Sequence, residues 1–206
     1  MTKARLAAST AAFALAALAS VGPWNRVAET RLFSVHMALH LVVADLGPLL
    51  LAAALPSVPR LVRLHPLAVL GLWTASLYAW HLPVLYDAAL RHEWAHALQH
   101  VSFFAAGVLL WTTVLARTDL QLGWRLSAVL GAGILSAVLG NVFLWAGHAF
   151  YEPYVDAPRL WGLSAVEDQR LGGALMLGEG MLVMLAAFAW IALRWLGEAD
   201  RVSATR

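Results

Sequence analysis

The sequence predicts an all-α protein, a polytopic bundle of about six membrane-spanning helices with both termini in the cytoplasm. Three observations support this fold class. Of 206 residues, 61% are hydrophobic and only 13% are charged, whereas a soluble domain has roughly 25% charged residues. Apolar runs recur along the chain, and several approach the length of about 20 residues that a membrane-spanning helix needs. Most of the ten tryptophans lie near the ends of these runs, which is typical of an aromatic belt at a membrane interface.

Charge and cysteine content exclude other classes of protein. The net charge is only +2, and the basic residues are spread over the loops, so no nucleic-acid surface is predicted. The chain contains no cysteine, which excludes disulfides, thiolate ligands and thiol redox chemistry. Any metal site must therefore use imidazole, thioether, carboxylate or backbone oxygen ligands.

The first apolar run, residues 6–21, follows Lys3 and Arg5 and is closed by Gly22 and Pro23. Its basic start and modest length fit either a retained first span or a cleaved signal peptide. Both interpretations bring residue 22 to the outer side of the membrane. We expect residues 1–206 to form one integral membrane domain, in which residues 1–22 are this first segment and residues 34–195 form the core bundle.

Five further spans are predicted, at residues 34–55, 67–80, 96–115, 126–145 and 171–195. Pro48 lies in the first of these and is expected to kink it, because proline cannot donate a helical hydrogen bond. Between the second and third, residues 82–90 carry apolar side chains at helical spacing. That pattern predicts a short amphipathic helix lying in the membrane interface.

The distribution of basic residues predicts the orientation of the bundle. Nine of the 14 lysines and arginines lie on the side that includes both termini: Lys3, Arg5, Arg60, Arg63, Arg117, Arg125, Arg194, Arg201 and Arg206. The positive-inside rule places this side in the cytoplasm. Every histidine except His65 then lies at or near the outer end of a predicted helix.

Histidine and methionine side chains at the outer helix ends suggest a metal site. Two histidine pairs have i, i+4 spacing on different helices, so each pair lies on one helix face. Imidazole pairs suit first-row transition metals and haem iron alike, and thioether sulfur adds a soft ligand. The candidate metal ligands are His36, Met37, His40, His81, His96, His100 and Met176.

Two acidic residues, Asp45 and Glu179, lie within predicted spans. A carboxylate inside a membrane costs several kcal/mol unless it is protonated or paired. Each is therefore a candidate functional group, or else a polar contact between helices.

Several motifs together resemble one known family. The segment from residue 162 contains Gly162-Leu163-Ser164, Glu167-Asp168-Gln169, Gly172-Gly173 and Met176, which is similar to the pattern GLSxxEDQxxGGxxM. Earlier motifs are His36-Met37-x-x-His40, Trp80-His81-x-Pro83-x-x-Tyr86, and His96-x-x-x-His100 followed by Gly107 and Trp111. Together they cover about residues 34–179 and resemble the CtaG family of membrane-embedded cytochrome c oxidase assembly factors. His92, His148 and Glu179 fall outside this resemblance.

The resemblance implies a non-enzymatic assembly factor for a caa-type oxidase. Such a protein would bind copper(I) on its outer face and deliver it to the oxidase copper centre, in the cytoplasmic membrane of a bacterium. The haem-copper oxidase catalytic subunit is the expected partner beside membrane lipid, and a periplasmic copper donor is left open. Asp168, Gln169 and Asp45 are expected to support the ligands by hydrogen bonding, and Gly172 and Gly173 to let another helix approach closely.

Two other functions remain open from the residues alone. Histidines on two helices can also ligate haem, as in a membrane electron carrier or a quinone-linked reductase. A di-haem protein would need histidines at both membrane depths, however, and only His65 is predicted on the inner side. Asp45 and Glu179 could instead serve a proton-coupled transporter, or the protein could be a scaffold.

Overall fold

A computed structural model describes residues 3–55, 64–117 and 119–204. These residues form ten α-helices and one π-helical segment, with no strand in the described ranges, so the predicted all-α class is confirmed. The helices are α1 (Lys3–Val21), α2 (Pro23–Thr30), α3 (Phe33–Leu41), α4 (Gly47–Ala54), α5 (Pro66–Trp80), α6 (Pro83–Arg91), α7 (Glu93–Leu115), α8 (Leu122–Trp145), α9 (Glu152–Val155) and α10 (Ala165–Ala204). The π-helical segment, Val42–Leu46, joins α3 to α4.

Five continuous stretches are long and apolar enough to cross a membrane: Lys3–Val21, Phe33–Ala54, Glu93–Leu115, Leu122–Trp145 and Ala165–Ile191. The span predicted at residues 67–80 differs, because α5 has only 15 residues. It qualifies only together with α6, and the two helices are bent by 71° at the break before Pro83. Proline disfavours helix at the preceding residue, which explains the break at Leu82. The described chain thus has five candidate spans, or six if the bent pair is one span.

The expected kink at Pro48 takes the form of the π-helical segment. The amide of Gly47 donates to the carbonyl oxygen of Val42, five residues earlier. A π-turn of this kind is a common way to absorb a local irregularity, and such turns are frequent at functional sites. Asp45 lies within the turn.

Helix α7 packs closely against this turn because residue 107 is glycine. A Cβ atom at Gly107 would lie 2.1 Å from the carbonyl oxygen of Ala44 and 2.8 Å from Cγ of Pro48. Any larger residue would push the two helices apart. Gly107 therefore sets the distance between α7 and the span that begins with α3, which are the helices carrying the two histidine pairs.

The expected close approach at Gly172 and Gly173 is confirmed. A Cβ at Gly173 would lie 2.6 Å from the carbonyl oxygen of Gly140 on α8, and one at Gly172 would lie 2.5 Å from the ring of Phe33 on α3. Helix α10 consequently packs against α8 on one side and α3 on the other.

The segment Ser164 to Gln169 fastens the start of α10 to the rest of the bundle. Ser164 and Glu167 form a capping box, in which the Ser164 amide donates to Glu167 Oε2 at 2.8 Å and the Glu167 amide donates to Ser164 Oγ at 3.3 Å. The buried carboxylate of Asp168 accepts from the amides of Phe33 (2.6 Å) and Ser34 (3.2 Å) and from the Ser34 hydroxyl.

Asp168 and Gln169 differ here from the expectation that they would bond to an imidazole. Asp168 satisfies the free amides at the start of α3, where a carboxylate is also favoured by the helix dipole. Gln169 accepts from the Phe150 amide at 2.8 Å and donates to the His148 carbonyl at 3.1 Å. Asp168 therefore supports the site through the backbone, since it fixes the helix that carries His36 and His40, whereas Gln169 fixes the connection after α8.

Candidate metal centre

Five histidines meet at one end of the bundle, and all are buried. The exposed fractions are 2% for His36, 4% for His40, 7% for His81, 9% for His96 and 7% for His100. The location of these residues at one end of the bundle agrees with the prediction from the sequence. Ser20 at the end of α1 contacts His100, and Glu29 on α2 contacts His96, so both helices help to cover the site.

The two predicted histidine pairs face each other. Ring nitrogens of His36, His40 and His96 all lie within 4.8 Å of one another, and the Nε2 atoms of His36 and His40 are 2.9 Å apart. The His100 ring lies 4.2 Å from that of His96 and 5.2 Å from that of His40, between centroids. With metal–imidazole bonds of about 2 Å, two nitrogens on one ion are about 3–4 Å apart. These four residues, hereafter the histidine cluster, can converge on one ion with small side-chain movements.

Hydrogen-bond partners fix the tautomers of His81 and His96. Nδ1 of His81 lies 2.7 Å from the carbonyl oxygen of Leu77, which can only accept. Nδ1 of His96 lies 2.9 Å from the Glu29 carboxylate, which also accepts. In both rings Nδ1 carries the proton, so in the neutral ring Nε2 has a free lone pair.

A serine at the end of α1 fixes the His100 ring in the same way. The Ser20 hydroxyl donates its proton to the Ala16 carbonyl at 2.8 Å. Its oxygen lies 2.9 Å from Nδ1 of His100 and must therefore accept from that nitrogen. Neutral His100 accordingly also presents Nε2 as an acceptor.

Tyr154 orients His36. Burial raises the pKa of Tyr154, so its hydroxyl keeps its proton and donates it to the Ala28 carbonyl at 2.7 Å. The same oxygen lies 3.1 Å from Nδ1 of His36, which must donate. Nε2 of His36 then accepts from Nε2 of His40, leaving Nδ1 of His40 as the acceptor.

These imidazoles retain buried nitrogens without a partner among the described residues. They are Nε2 of His81, His96 and His100, and Nδ1 of His40. A buried acceptor that makes no hydrogen bond costs about 1–3 kcal/mol. Most metal-binding histidines donate their other N–H to a carboxylate, carbonyl or hydroxyl, and the same pattern is present here.

Glu29 supplies a negative charge beside the cluster. The hydrogen bond from His96 lowers the pKa of Glu29, and burial only partly opposes this effect. Glu29 also accepts from Asn25 Nδ2 at 2.7 Å. Its carboxylate is therefore ionised at neutral pH and can balance part of the charge of a cation bound to His96.

A groove gives access to the cluster from the C-terminal end of α1. It has an empty volume of about 1280 Å³ and lies between α1, α2, α6 and α7. We call it the vestibule; its polar lining residues are Ser20, Asn25, Glu29, Arg91, Glu93, His96 and His100. His96 and His100 are thus both ligand candidates and part of the vestibule wall.

Other predicted ligands lie beside the cluster. The His81 ring is 6.4 Å from that of His40 and lines a separate cavity together with Met37, Met176 and Asp45. Asp45 was expected to support an imidazole, but among the described residues no hydrogen bond joins it to a histidine. It accepts instead from Trp111 Nε1 at 3.0 Å. It also lines a deeper cavity with Glu179, of about 400 Å³.

The remaining histidines are exposed and lie outside the cluster. His92 precedes α7, and His148 lies in the connection after α8. His65 caps α5 by accepting from the Leu67 amide at 3.3 Å. His65 and His81 flank opposite ends of α5, in agreement with the prediction that His65 lies apart from the others.

Sequence reasoning missed the residues that orient the rings. Ser20, Glu29 and Tyr154 contact histidines that are 80, 67 (96 minus 29) and 118 residues away in the sequence. One local signal was available for Glu29, because Gly22-Pro23 at the start of a polar stretch indicates a helix N-terminus. The resulting α2 carries Glu29 to the rim of the site.

Comparison with known proteins shows what the chain is similar to. Two uncharacterized proteins, from Mycobacterium bovis and Mycobacterium tuberculosis, are each 22% identical to it over 218 residues, which covers 88% of this chain. The chain spans about a third (32%) of the length of these relatives. No solved structure matches. The model of the family described as cytochrome c oxidase caa3 assembly factor matches residues 1–198, nearly the whole chain. The protein therefore belongs to the family of cytochrome c oxidase caa3 assembly factors.

Proposed function

We propose that this membrane protein binds copper(I) at the histidine cluster and delivers it to the copper centre of a haem-copper oxidase during assembly. The observation that carries the proposal is the convergence of His36, His40 and His96, whose ring nitrogens lie within 4.8 Å of one another. Membership of the assembly-factor family favours a non-catalytic role. Copper is then cargo, and the oxidase catalytic subunit in a bacterial cytoplasmic membrane is the receiver.

The chemistry of the cluster suits an exchangeable copper(I) ion. Imidazole binds copper well, while the chain has no thiolate that would hold it more firmly. The described hydrogen bonds leave Nε2 of His96 and His100 free and buried. A site whose ligand atoms are already oriented loses little conformational freedom on binding. The vestibule offers a route by which a periplasmic donor could supply the ion.

The geometry argues against a haem held axially by His36 and His40. Axial ligands bind haem iron from opposite faces of the porphyrin, with nitrogens about 4 Å apart if each bond is about 2 Å. The Nε2 atoms of His36 and His40 are 2.9 Å apart and belong to adjacent turns of one helix. They cannot lie on opposite faces of a macrocycle.

Copper content measures the proposal directly. The purified protein is loaded anaerobically with copper(I), desalted, and analysed for copper per chain. Replacing His40 and His100 together with alanine should remove the copper bound at the cluster and leave the oxidase short of copper in cells that depend on this protein. His92→Ala is the matched control, because His92 is an exposed histidine near the same end of α7.

Two outcomes would contradict the proposal. Full copper retention by the His40→Ala, His100→Ala protein would show that the cluster is not the site. Normal oxidase copper content in cells carrying this variant would remove the delivery function.

A further inference from the structure

A second set of metal-binding side chains lies beside the histidine cluster and is not part of it. His81, Met37 and Met176 line one cavity with an empty volume of about 470 Å³. Met37 is 1% exposed, Met176 is 4% exposed and His81 is 7% exposed. We call this space the thioether cavity. His40 contributes to its wall as well as to the cluster.

His81 brings a free nitrogen to the thioether cavity. Its Nδ1 donates to the Leu77 carbonyl at 2.7 Å, and its Nε2 is buried with no partner among the described residues. This orientation is not explained by the cluster, because the centroid of the His81 ring lies 6.4 Å from that of His40. Buried polar atoms are nearly always paired, so this nitrogen is a position where a bound ion or water would complete the pairing.

Two sulfur atoms are available in the same cavity from different helices. Met37 lies on α3, and its Cγ would be 3.2 Å from a Cβ at Gly172 of α10. Met176 lies four residues after Gly172, so both positions are on the same face of α10. The two thioether side chains therefore enter the cavity from adjoining helices.

The charge of the surroundings suits a monovalent ion. Two thioethers and one neutral imidazole leave the full positive charge of a bound cation uncompensated inside an apolar bundle. Asp45 lines the same cavity and can supply the opposing negative charge. Soft thioether ligands select copper(I) over zinc or other harder divalent ions.

We propose that the thioether cavity is a second copper(I) site, with Nε2 of His81 and the sulfur atoms of Met37 and Met176 as ligands. This inference rests on the proposed function, since it gives copper a second position after the histidine cluster. His40 connects the two sites: its Nε2 faces His36 in the cluster, its Nδ1 is unpaired, and its side chain borders the cavity.

Copper X-ray absorption of the full-length protein tests this site, because every sulfur in the chain belongs to methionine. Protein loaded anaerobically with excess copper(I) should hold two copper ions per chain and show sulfur neighbours. The Met37→Leu, Met176→Leu protein should hold one copper ion with nitrogen neighbours alone. Leucine conserves the volume of methionine, so the fold should persist. Met181→Leu is the control, because Met181 is 56% exposed, and it should keep both ions.

Selenomethionine labelling gives a second measurement that alters no residue type. Copper in the labelled protein should show selenium neighbours, even if the leucine variant fails to accumulate. Copper with nitrogen neighbours only would overturn the thioether site, as would sulfur neighbours that persist in the doubly substituted protein.

The same measurement separates failure of this inference from failure of the proposed function. One copper ion with nitrogen neighbours in the unaltered protein refutes the thioether site and leaves the cluster proposal standing. No retained copper refutes both. In the His36→Ala, His96→Ala protein, the inference requires that one sulfur-bound copper remains, and its loss would count against two independent sites.

Discussion

Replacing Glu29 tests whether the hydrogen bonds around the histidines prepare them for metal. Glu29 Oε1 accepts from Nδ1 of His96 at 2.9 Å, and this bond keeps the lone pair of Nε2 free. In Glu29→Gln the amide oxygen can still accept from Nδ1, but the negative charge is lost. In Glu29→Ala both the acceptor and the charge are lost, so the His96 ring can change tautomer.

The expected loss of copper affinity differs between these two variants. Removing a partner that orients a metal ligand typically weakens binding by about 10- to 100-fold, or about 1.4–2.7 kcal/mol. The Glu29 side chain is 29% exposed, so solvent screens part of its charge. We therefore expect about a 10-fold loss for glutamine and a loss nearer to 100-fold for alanine.

Competition with a copper(I) chelator of known affinity gives the dissociation constants. Glu93→Gln is the matched control: it removes the same charge from the same vestibule, but Glu93 is exposed and no hydrogen bond joins it to a histidine in the described part of the chain. This variant should bind copper within about 2-fold of the original. Unchanged affinity in both Glu29 variants would refute the orienting role. An equal loss in Glu93→Gln would assign the effect to vestibule charge alone.

Three further predictions concern the framework that positions the site. Asp168→Ala should lower the free energy of unfolding by about 3 kcal/mol or more, because it leaves buried donors at the start of α3 unpaired. Glu167→Ala, which removes an exposed cap, should destabilise the protein much less in the same thermal or denaturant assay. Gly107→Ala should lower the midpoint of thermal unfolding, because the new Cβ would lie 2.1 Å from a backbone oxygen, whereas Gly71→Ala, with no atom within 4 Å of its Cβ position, should not. A reporter that is active only outside the cytoplasm should be silent when fused to the C-terminus and active near Asp156, since the basic residues predict cytoplasmic termini; the reverse pattern would contradict the outer location of the histidines.

The sequence was sufficient to predict which histidines would meet, for a simple geometric reason. An i, i+4 spacing places two side chains on one helix face whatever surrounds the helix. Once the apolar runs indicated antiparallel spans, His36, His40, His96 and His100 had to lie at one end. The ring centroids of His36 and His96 are 5.7 Å apart and those of His40 and His100 are 5.2 Å apart, in agreement with that argument.

The environment of these rings could not be predicted from spacing. Ser20 and Tyr154 reach His100 and His36 only because α1 and the connection after α8 pack against them. The partner of Asp168 could not be predicted from the sequence either. A buried carboxylate can satisfy an imidazole or a helix N-terminus equally well, and only tertiary packing selects the amides of α3.

The order of the ligands along the proposed route suggests where metal selectivity arises. The vestibule presents carboxylates such as Glu29, which attract cations of any kind. The histidine cluster, made of imidazoles, suits copper and zinc alike, whereas thioether sulfur strongly prefers copper(I). If both proposed sites exist, zinc should compete with copper for the cluster and fail to displace the ion bound by Met37 and Met176. Selectivity would then increase with depth in the bundle, so that an ion leaving the thioether cavity for the oxidase is copper even when the vestibule has admitted zinc.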